Sequence, residues 1–167
     1  RYVGGRPVEV AKRIRSDYDE MQSRNIIPWL TAGTYGEYDP PILKQIIFET
    51  ILNGARGFTY YWFGDFDPMD FYYQAQSIKE LSQYQALLQD GKPIAYKGDN
   101  PDLHYTAFAD EDEALVMVGN YSGTPNTRVH LPLPFDSATK VILDGKILPI
   151  NDNMFSLDVP SGEFRLI

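Results

Sequence analysis

Two short apolar segments, each followed by a helix start signal, constrain the fold of this chain most strongly. The first segment is IIPWL at residues 26–30, and FTYYWF at residues 58–63 follows about 30 positions later. An Asp-Pro pair comes after each segment, at residues 39–40 and 67–68, and this pair is typical of a helix N-terminus. The spacing is that of one strand–helix unit, so the pattern predicts parallel strands with helices on their faces.

Apolar residues at three- and four-residue spacing predict three helices. The first begins at Pro7, and the second runs from Pro40 to Gly54. The third is expected to run unbroken from Pro68 to Gly91, with an apolar stripe consisting of Phe71, Tyr72, Ala75, Ile78, Leu81, Leu87 and Leu88. The segment 26–30 is apolar throughout, which favours a strand that is buried on both faces.

The composition changes near residue 97, where long helical patterns give way to short alternating segments. Turn signals rich in Gly, Asn and Asp separate these segments. They predict strands at residues 103–109, 114–121, 127–133, 139–143, 146–149, 154–159 and 163–167. The Asp144-Gly145 pair between two apolar runs is the strongest hairpin signal. Such short strands, close together, are typical of a small antiparallel β-sandwich.

We therefore predict a fold of the α/β plus all-β class in two domains. Two parallel strands cannot close a core, and a (β/α)8 barrel takes about 250 residues. Residues 1–97 are thus interpreted as the last strands and helices of such a barrel, and residues 98–167 as a β-sandwich domain. Because this part of a barrel is incomplete, we expect the missing N-terminal part of the same protein as a partner. The sequence begins without methionine, which fits a processed product as well as a piece of something longer. A small three-layer α/β domain is the alternative.

Composition excludes several classes of partner. The formal net charge of -8 argues against binding to nucleic acid or to an anionic membrane surface. No apolar run approaches the roughly 20 residues of a membrane span. The chain has no cysteine, which excludes disulfides and thiolate metal sites and fits an exported bacterial protein as well as a cytosolic one. We expect a periplasmic or secreted protein.

Carboxylates and aromatic residues gather where the predicted strands end, which is the functional edge of a strand–helix barrel. Asp39 and Asp67 are assigned to helix capping. Glu37 and Asp65 remain, and a pair of carboxyl groups is what glycoside hydrolysis requires. The nearby aromatic side chains can stack on sugar rings: Trp29, Tyr35, Tyr38, Tyr61 and Trp62. Strand alternation separates Tyr60 and Trp62 from Tyr61 and Phe63, so at most half of the run 58–63 faces a ligand.

Each of these residues also has a structural interpretation. Glu37 lies between two tyrosines and can be a solvated loop residue, and Asp65 can be a turn or a hydrogen-bonded brace. His104 and His130 are isolated from other metal-ligating residues, which favours ordinary surface or core histidines. No phosphate-binding glycine motif and no nucleophile elbow is present, so we predict no cofactor and no metal. The acidic run 110–113 is interpreted as a solvated turn, with a loosely held Ca²⁺ as the alternative.

The segment IIPWLTAGTYGEYDPPILKQIIFETILNGARGFTYYWFGDFDP resembles the last two strand–helix units of a glycoside hydrolase barrel, of the clan that includes the retaining β-galactosidases. The run from EALVMVGNYSG to FSLDVPSGEFRLI resembles the small β-sandwich that closes many sugar hydrolases. The resemblance implies a nucleophilic glutamate near the end of the strand at 26–30, where Glu37 is the nearby match, several residues late. It also implies that Trp62 floors a sugar subsite and that the acid/base glutamate belongs to an earlier strand, outside this chain.

The sequence thus predicts the C-terminal fragment of a carbohydrate-active enzyme that hydrolyses glycosidic bonds by two-carboxylate chemistry. The fragment is expected to be inactive in isolation and to contribute part of a sugar platform with the side chains Trp29, Tyr35, Tyr61, Trp62 and Asp65. Two alternatives remain. The chain can be a non-catalytic carbohydrate-binding or scaffold module, or its aromatic surface can be an oligomer interface.

Overall fold

The computed structural model describes residues 2–3, 6–30, 40–61, 66–135 and 140–167. The chain divides into two units, Arg1–Pro93 and Ile94–Ile167. The first unit combines helices with a parallel sheet, whereas the second is built from antiparallel sheets. Within the described ranges, no helix combines the length and the apolar character that a membrane crossing requires.

Strands and helices alternate along the first unit. They are β1 (Tyr2–Val3), α1 (Pro7–Met21), β2 (Trp29–Leu30), α2 (Pro40–Leu52), β3 (Thr59–Tyr60), α3 (Pro68–Leu81), a 3₁₀ turn (Ser82–Tyr84) and α4 (Gln85–Asp90). The three strands form one parallel sheet in the order β1-β2-β3. The three predicted helix starts are confirmed, since α1, α2 and α3 each begin at the expected proline.

Strand β1 was not predicted, and it changes the sheet from two parallel strands to three. It pairs with β2 in the register Tyr2 to Trp29 and Val3 to Leu30. A strand of two residues carries no readable alternation, so the sequence pattern gave no sign of it.

The segment 26–30 is not buried on both faces, so that prediction is wrong. Ile26, Pro28 and Leu30 are buried, whereas Ile27 is 62% exposed and Trp29 is 47% exposed. This regular alternation is that of an extended chain with one covered face. The Ile27 and Trp29 side chains are apolar, but they lie on the exposed face, opposite to Leu30.

Helix α2 is the most deeply enclosed helix of the first unit. It packs against α1 on one flank and against α3 on the other. Its side chains from Gln45 to Leu52 are all buried, including the carboxylate of Glu49. Asn53 donates from Nδ2 to Glu49 Oε2 at 3.0 Å, which gives this buried carboxyl group a hydrogen-bond partner.

The predicted third helix differs from the structure in two respects. It is interrupted by the 3₁₀ turn after Leu81, where the Ser82 hydroxyl donates to the carbonyl of Lys79 at 2.7 Å. A serine side chain that bonds to the backbone in this way competes with regular helix. In addition, much of the predicted apolar stripe faces outward: Phe71 is 53%, Tyr72 50% and Ile78 49% exposed. Periodicity identifies such a stripe but does not identify what covers it.

The second unit contains the strands of the predicted antiparallel part. They are β4 (Lys92–Ile94, which spans the division between the units), β5 (His104–Ala109), β6 (Ala114–Gly119), β7 (Thr127–Pro132), β8 (Val141–Leu143), β9 (Lys146–Leu148), β10 (Met154–Val159) and β11 (Phe164–Leu166). They form sheets in the orders β11-β6-β5-β4, β10-β7 and β8-β9. All seven predicted strands are found, and the short β4 is added to them.

One hydrophobic cluster lies inside the second unit. It joins buried residues from both larger sheets and from the hairpin: Leu103, Ala107, Val116, Val118, Val129, Leu131, Val141, Phe155, Leu157 and Val159. The predicted alternation of β10 is confirmed, because Phe155, Leu157 and Val159 are buried. The predicted hairpin is also confirmed: Asp144 and Gly145 both have positive φ, 50° and 75°, as a type I′ turn requires.

We predict that Gly54→Ala destabilises the chain by about 2 kcal/mol. Gly54 lies in the turn directly after α2 with φ +116°, and an added Cβ there would lie 2.7 Å from Cδ2 of Tyr18. Urea unfolding measures the loss. Gly57→Ala is the matched control, since nothing lies within 4 Å of its added Cβ. Equal unfolding midpoints for the two variants would contradict the steric explanation.

Candidate functional site

The described part of the candidate site lies where the parallel strands β2 and β3 approach their carboxyl ends. The following segments, 31–39 and 62–65, are outside the described residues. The predicted site residues Tyr35, Glu37, Trp62 and Asp65 lie in those segments, as does the predicted cap Asp39, so their roles remain predictions. Trp29 and Tyr61 are described, and the structure brings them together.

Trp29 and Tyr61 form an exposed aromatic pair. Their ring centroids are 5.9 Å apart and their planes are inclined by 41°. Both side chains are about half exposed, Trp29 at 47% and Tyr61 at 53%. Two large aromatic rings that are in contact and yet remain open to solvent are characteristic of a binding surface.

The register of β2 and β3 explains why these two rings share one face. Trp29 pairs with Thr59, and Leu30 pairs with Tyr60. The Tyr61 amide then donates to the Leu30 carbonyl at 3.1 Å and continues the pairing. Because side chains alternate along a strand, Tyr61 points to the same side as Trp29, opposite to Leu30 and Tyr60.

The neighbouring Tyr60 lies in the interior, and the rings that contact it are partly buried. Tyr60 is 8% exposed, and its ring makes edge contacts with Phe58 at 5.6 Å and Phe66 at 4.8 Å. Burial raises the pKa of the Tyr60 hydroxyl, and the charge of Asp70 raises it further. Tyr60 is therefore a neutral core residue at physiological pH. The predicted division of the aromatic run into two sets is confirmed for Tyr60 and Tyr61.

Asp67 is a helix cap, as predicted. Its Oδ1 accepts hydrogen bonds from the amides of Met69 at 2.6 Å and Asp70 at 3.0 Å. Asp70 returns the interaction, since its Oδ2 accepts from the Asp67 amide at 3.1 Å. This reciprocal arrangement is a capping box, and it fixes the first turn of α3 directly after the end of β3.

Two residues of this region were missed by the sequence reasoning, Asp70 and Phe66. Asp70 is 4% exposed, and Phe66 connects the ring of Tyr60 with that of Phe71 at 5.1 Å. The spacing Asp67-x-x-Asp70 before an apolar helix is the signal for the capping box. No comparable signal marks Phe66, because its contacts depend on how the chain turns into α3.

The two histidines lie elsewhere, in the second unit. His130 Nδ1 is 2.7 Å from the Ser156 hydroxyl across the β7–β10 pair, and His104 Nε2 is 3.3 Å from the Thr106 hydroxyl. Among the residues that the structure describes, no group of three or more His, Cys, Asp or Glu side chains is arranged to hold a metal ion.

The chemistry available to the described part of the site is that of a flat, partly apolar surface. The Trp29 and Tyr61 rings can stack on an apolar face of a ligand, and the Tyr61 hydroxyl can exchange hydrogen bonds with ligand hydroxyl groups. Pyranose sugars offer both kinds of surface in one ring. The described residues of this face thus supply groups that can position a ligand.

No protein-family model and no curated protein sequence matches this chain. Among solved structures, a GH30 endoxylanase from Clostridium papyrosolvens C71 is similar over 99% of this chain and 47% of its own chain, with 13% identity and a TM-score of 0.56. This chain thus shares its fold with about half of that glycoside hydrolase.

Two further structures are an α-amylase from Anoxybacillus and a maltogenic α-amylase from Thermotoga neapolitana, both with a TM-score of 0.48. The first matches with 13% identity, over 75% of this chain and 32% of its own. The second matches with 11% identity, over 99% of this chain and 40% of its own.

We predict that Asp67→Ala lowers the free energy of unfolding by about 1 kcal/mol, because two amides of the first turn of α3 lose their acceptor. Denaturant unfolding measures this loss. Asp67→Asn is the control, since asparagine caps a helix about as well as aspartate. A loss of equal size in Asp67→Asn would show that the charge, rather than the cap, is what matters.

Proposed function

We propose that this chain is the C-terminal part of a glycoside hydrolase and that its Trp29–Tyr61 pair forms part of the sugar-binding platform. The exposed, tilted contact between these two rings is the observation that carries the proposal. The fold shared with half of an endoxylanase supports it. The platform lies on a parallel strand pair, and in strand–helix barrels the functional residues sit at the ends of such strands.

In this proposal, β1, β2 and β3 are the last strands of a (β/α)8 barrel. Parallel sheets in proteins are covered on both faces, yet Ile27 and Trp29 are exposed on one face of this sheet. Closure into a barrel turns that face inward and leaves the strand ends open to a ligand. The β-sandwich interpretation of the second unit and the clan of the retaining β-galactosidases belong to the same proposal.

The proposed reaction is hydrolysis of a glycosidic bond by two carboxyl groups. One carboxyl group protonates the leaving oxygen, while the other attacks the sugar or activates water. We assign one of these roles to Glu37 and place Trp62, Tyr35 and Asp65 in the sugar platform. The second carboxyl group is supplied by the preceding part of the protein, so the chain alone is expected to be inactive.

We predict that Trp29→Ala weakens the binding of soluble oligosaccharides about fivefold, because one stacking ring is removed. The probes are xylo-oligosaccharides and malto-oligosaccharides at millimolar concentration, and shifts in the NMR spectrum of the chain measure their affinities. Tyr61→Ala is expected to have a similar effect.

The matched control is Tyr72→Ala. Tyr72 is 50% exposed, almost the same as Tyr61, but it lies on α3 rather than at the strand ends. Its loss is expected to leave the affinity unchanged. Equal weakening by Tyr72→Ala and Trp29→Ala, or no binding of either sugar series by the unmodified chain, would contradict the proposed platform.

We predict that Glu37→Gln lowers hydrolysis by at least about a hundredfold in the protein expressed from its whole coding sequence. The release of reducing ends from a panel of polysaccharides, beginning with xylan and starch, measures the activity. Glu20→Gln, an exposed position on α1, is the control and is expected to retain full activity.

Two results would change the assignment. Full activity of Glu37→Gln would remove Glu37 from the reaction. Sugar binding without hydrolysis of any polysaccharide by the whole protein would favour the alternative function, a non-catalytic carbohydrate-binding module.

A further inference from the structure

Helix α3 exposes several apolar side chains, and two of its three buried residues are polar. Its outer face, as we call it, consists of Phe71, Ala75 and Ile78, which lie on one side of the helix at i, i+4 and i+7. Phe71 is 53% exposed and Ile78 is 49% exposed. Its buried residues are Asp70, Ser77 and Leu81, and they lie roughly a third of a turn away.

This distribution differs from that of a typical surface helix. Helices on the surface of a soluble protein bury their apolar stripe and present polar residues to water. Single exposed apolar residues are common, but here Tyr72, next to Phe71 in the sequence, is also half exposed, at 50%. Several exposed apolar side chains grouped on one helix in this way indicate an interface.

The arrangement of the helices indicates what covers the outer face. Helix α2 has a helix on each flank, α1 on one side and α3 on the other. Helix α3 is the last member of this row, and α2 covers one of its flanks. A further helix on the other flank of α3 would continue this packing. It would bury Phe71 and Ile78 in the way that α3 helps to bury α2.

The sheet has a corresponding open edge among the described residues. Strand β3 is the last strand of the order β1-β2-β3, so among the described residues its outer edge has no neighbouring strand. A helix that follows a parallel strand normally leads, by a right-handed connection, to the next strand at that edge. Here the chain passes from α4 to β4 instead, and β4 belongs to the antiparallel sheet of β5, β6 and β11.

No segment outside the described residues is long enough to supply a further strand and helix. A strand–helix unit takes about 30 residues, whereas the longest such segment, 31–39, has nine. A neighbouring unit at this edge would therefore be formed by other polypeptide.

We propose that the outer face of α3 docks the amphipathic helix of a further strand–helix unit, encoded upstream in the same protein, and that the strand of this unit pairs with the edge of β3. The proposal rests on the barrel interpretation under the proposed function, and it names the surface at which the barrel closes. Its prediction concerns assembly and is independent of sugar binding.

The test is a split-protein experiment. The coding sequence upstream of Arg1 is expressed as a separate polypeptide and combined with a tagged chain of residues 1–167, and sedimentation measures their association. Ile78→Lys is expected to weaken this association at least about tenfold, because an apolar contact is lost and a charge is placed in its position. Circular dichroism checks that the variant retains its helices, which is expected since Ile78 is half exposed.

Gln83→Lys is the matched control, because it adds the same charge at an exposed position in the 3₁₀ turn that follows α3. It is expected to associate like the unmodified chain.

Equal association of both variants would overturn the proposal, as would a coding sequence with no strand–helix pattern upstream of Arg1. Self-association of residues 1–167 that Ile78→Lys abolishes would assign the face to a second copy instead and would also overturn it. If the upstream polypeptide still associates with residues 1–167 but the chain binds no sugar, only the proposed sugar platform is refuted.

Discussion

The pairing register of β2 and β3 decides which aromatic residues enter the interior of the first unit and which remain on its surface. The Thr59 amide donates to the Pro28 carbonyl at 3.0 Å, and the Tyr61 amide donates to the Leu30 carbonyl at 3.1 Å. These bonds direct Leu30 and Tyr60 inward and Trp29 and Tyr61 outward. A slip of one residue in one strand would exchange its faces, so that a core ring and a platform ring would change places. The proposed sugar platform depends on this register.

The turn from β3 into α3 stabilises the same arrangement from the other end. The capping box of Asp67 and Asp70 begins the helix within a few residues of the strand, and the Phe66 ring lies against Tyr60 and Phe71. These ring contacts connect the strand with the helix, from the buried Tyr60 through Phe66 to the half-exposed Phe71. Trp29 and Tyr61 lie on the opposite face of the strand pair and are about half exposed, which makes them available to a ligand.

Much of the local structure could be predicted from the sequence because its signals are local. Asp67 with Pro68, the Asp144-Gly145 turn and the alternation of Phe155, Leu157 and Val159 each specify an element by chain geometry alone. Strand β1 could not be predicted in this way, since two residues carry no period and its pairing with β2 depends on distant residues.

Burial was harder to predict than secondary structure. An apolar stripe such as Phe71, Ala75 and Ile78 shows that a helix has an interface, but not whether the same unit or another polypeptide covers it. For the same reason the segment 26–30 was interpreted as a strand buried on both faces, although Trp29 is exposed. In the candidate site, strand alternation separated Tyr61 from Tyr60, but the contact of Tyr61 with Trp29 depends on the pairing register of two strands, which the sequence does not specify. The roles of Glu37 and Trp62 rest on the resemblance to glycoside hydrolases.

Hydroxyl-radical footprinting of individual side chains, in the isolated chain and in the protein expressed from its whole coding sequence, tests the central claim most directly. The account predicts that Trp29, Tyr61, Phe71 and Ile78 are all labelled in the isolated chain. In the whole protein, Phe71 and Ile78 are expected to be protected, while Trp29 and Tyr61 stay accessible until an oligosaccharide is added. Protection of Trp29 and Tyr61 by the protein itself, with Phe71 and Ile78 still labelled, would contradict the account.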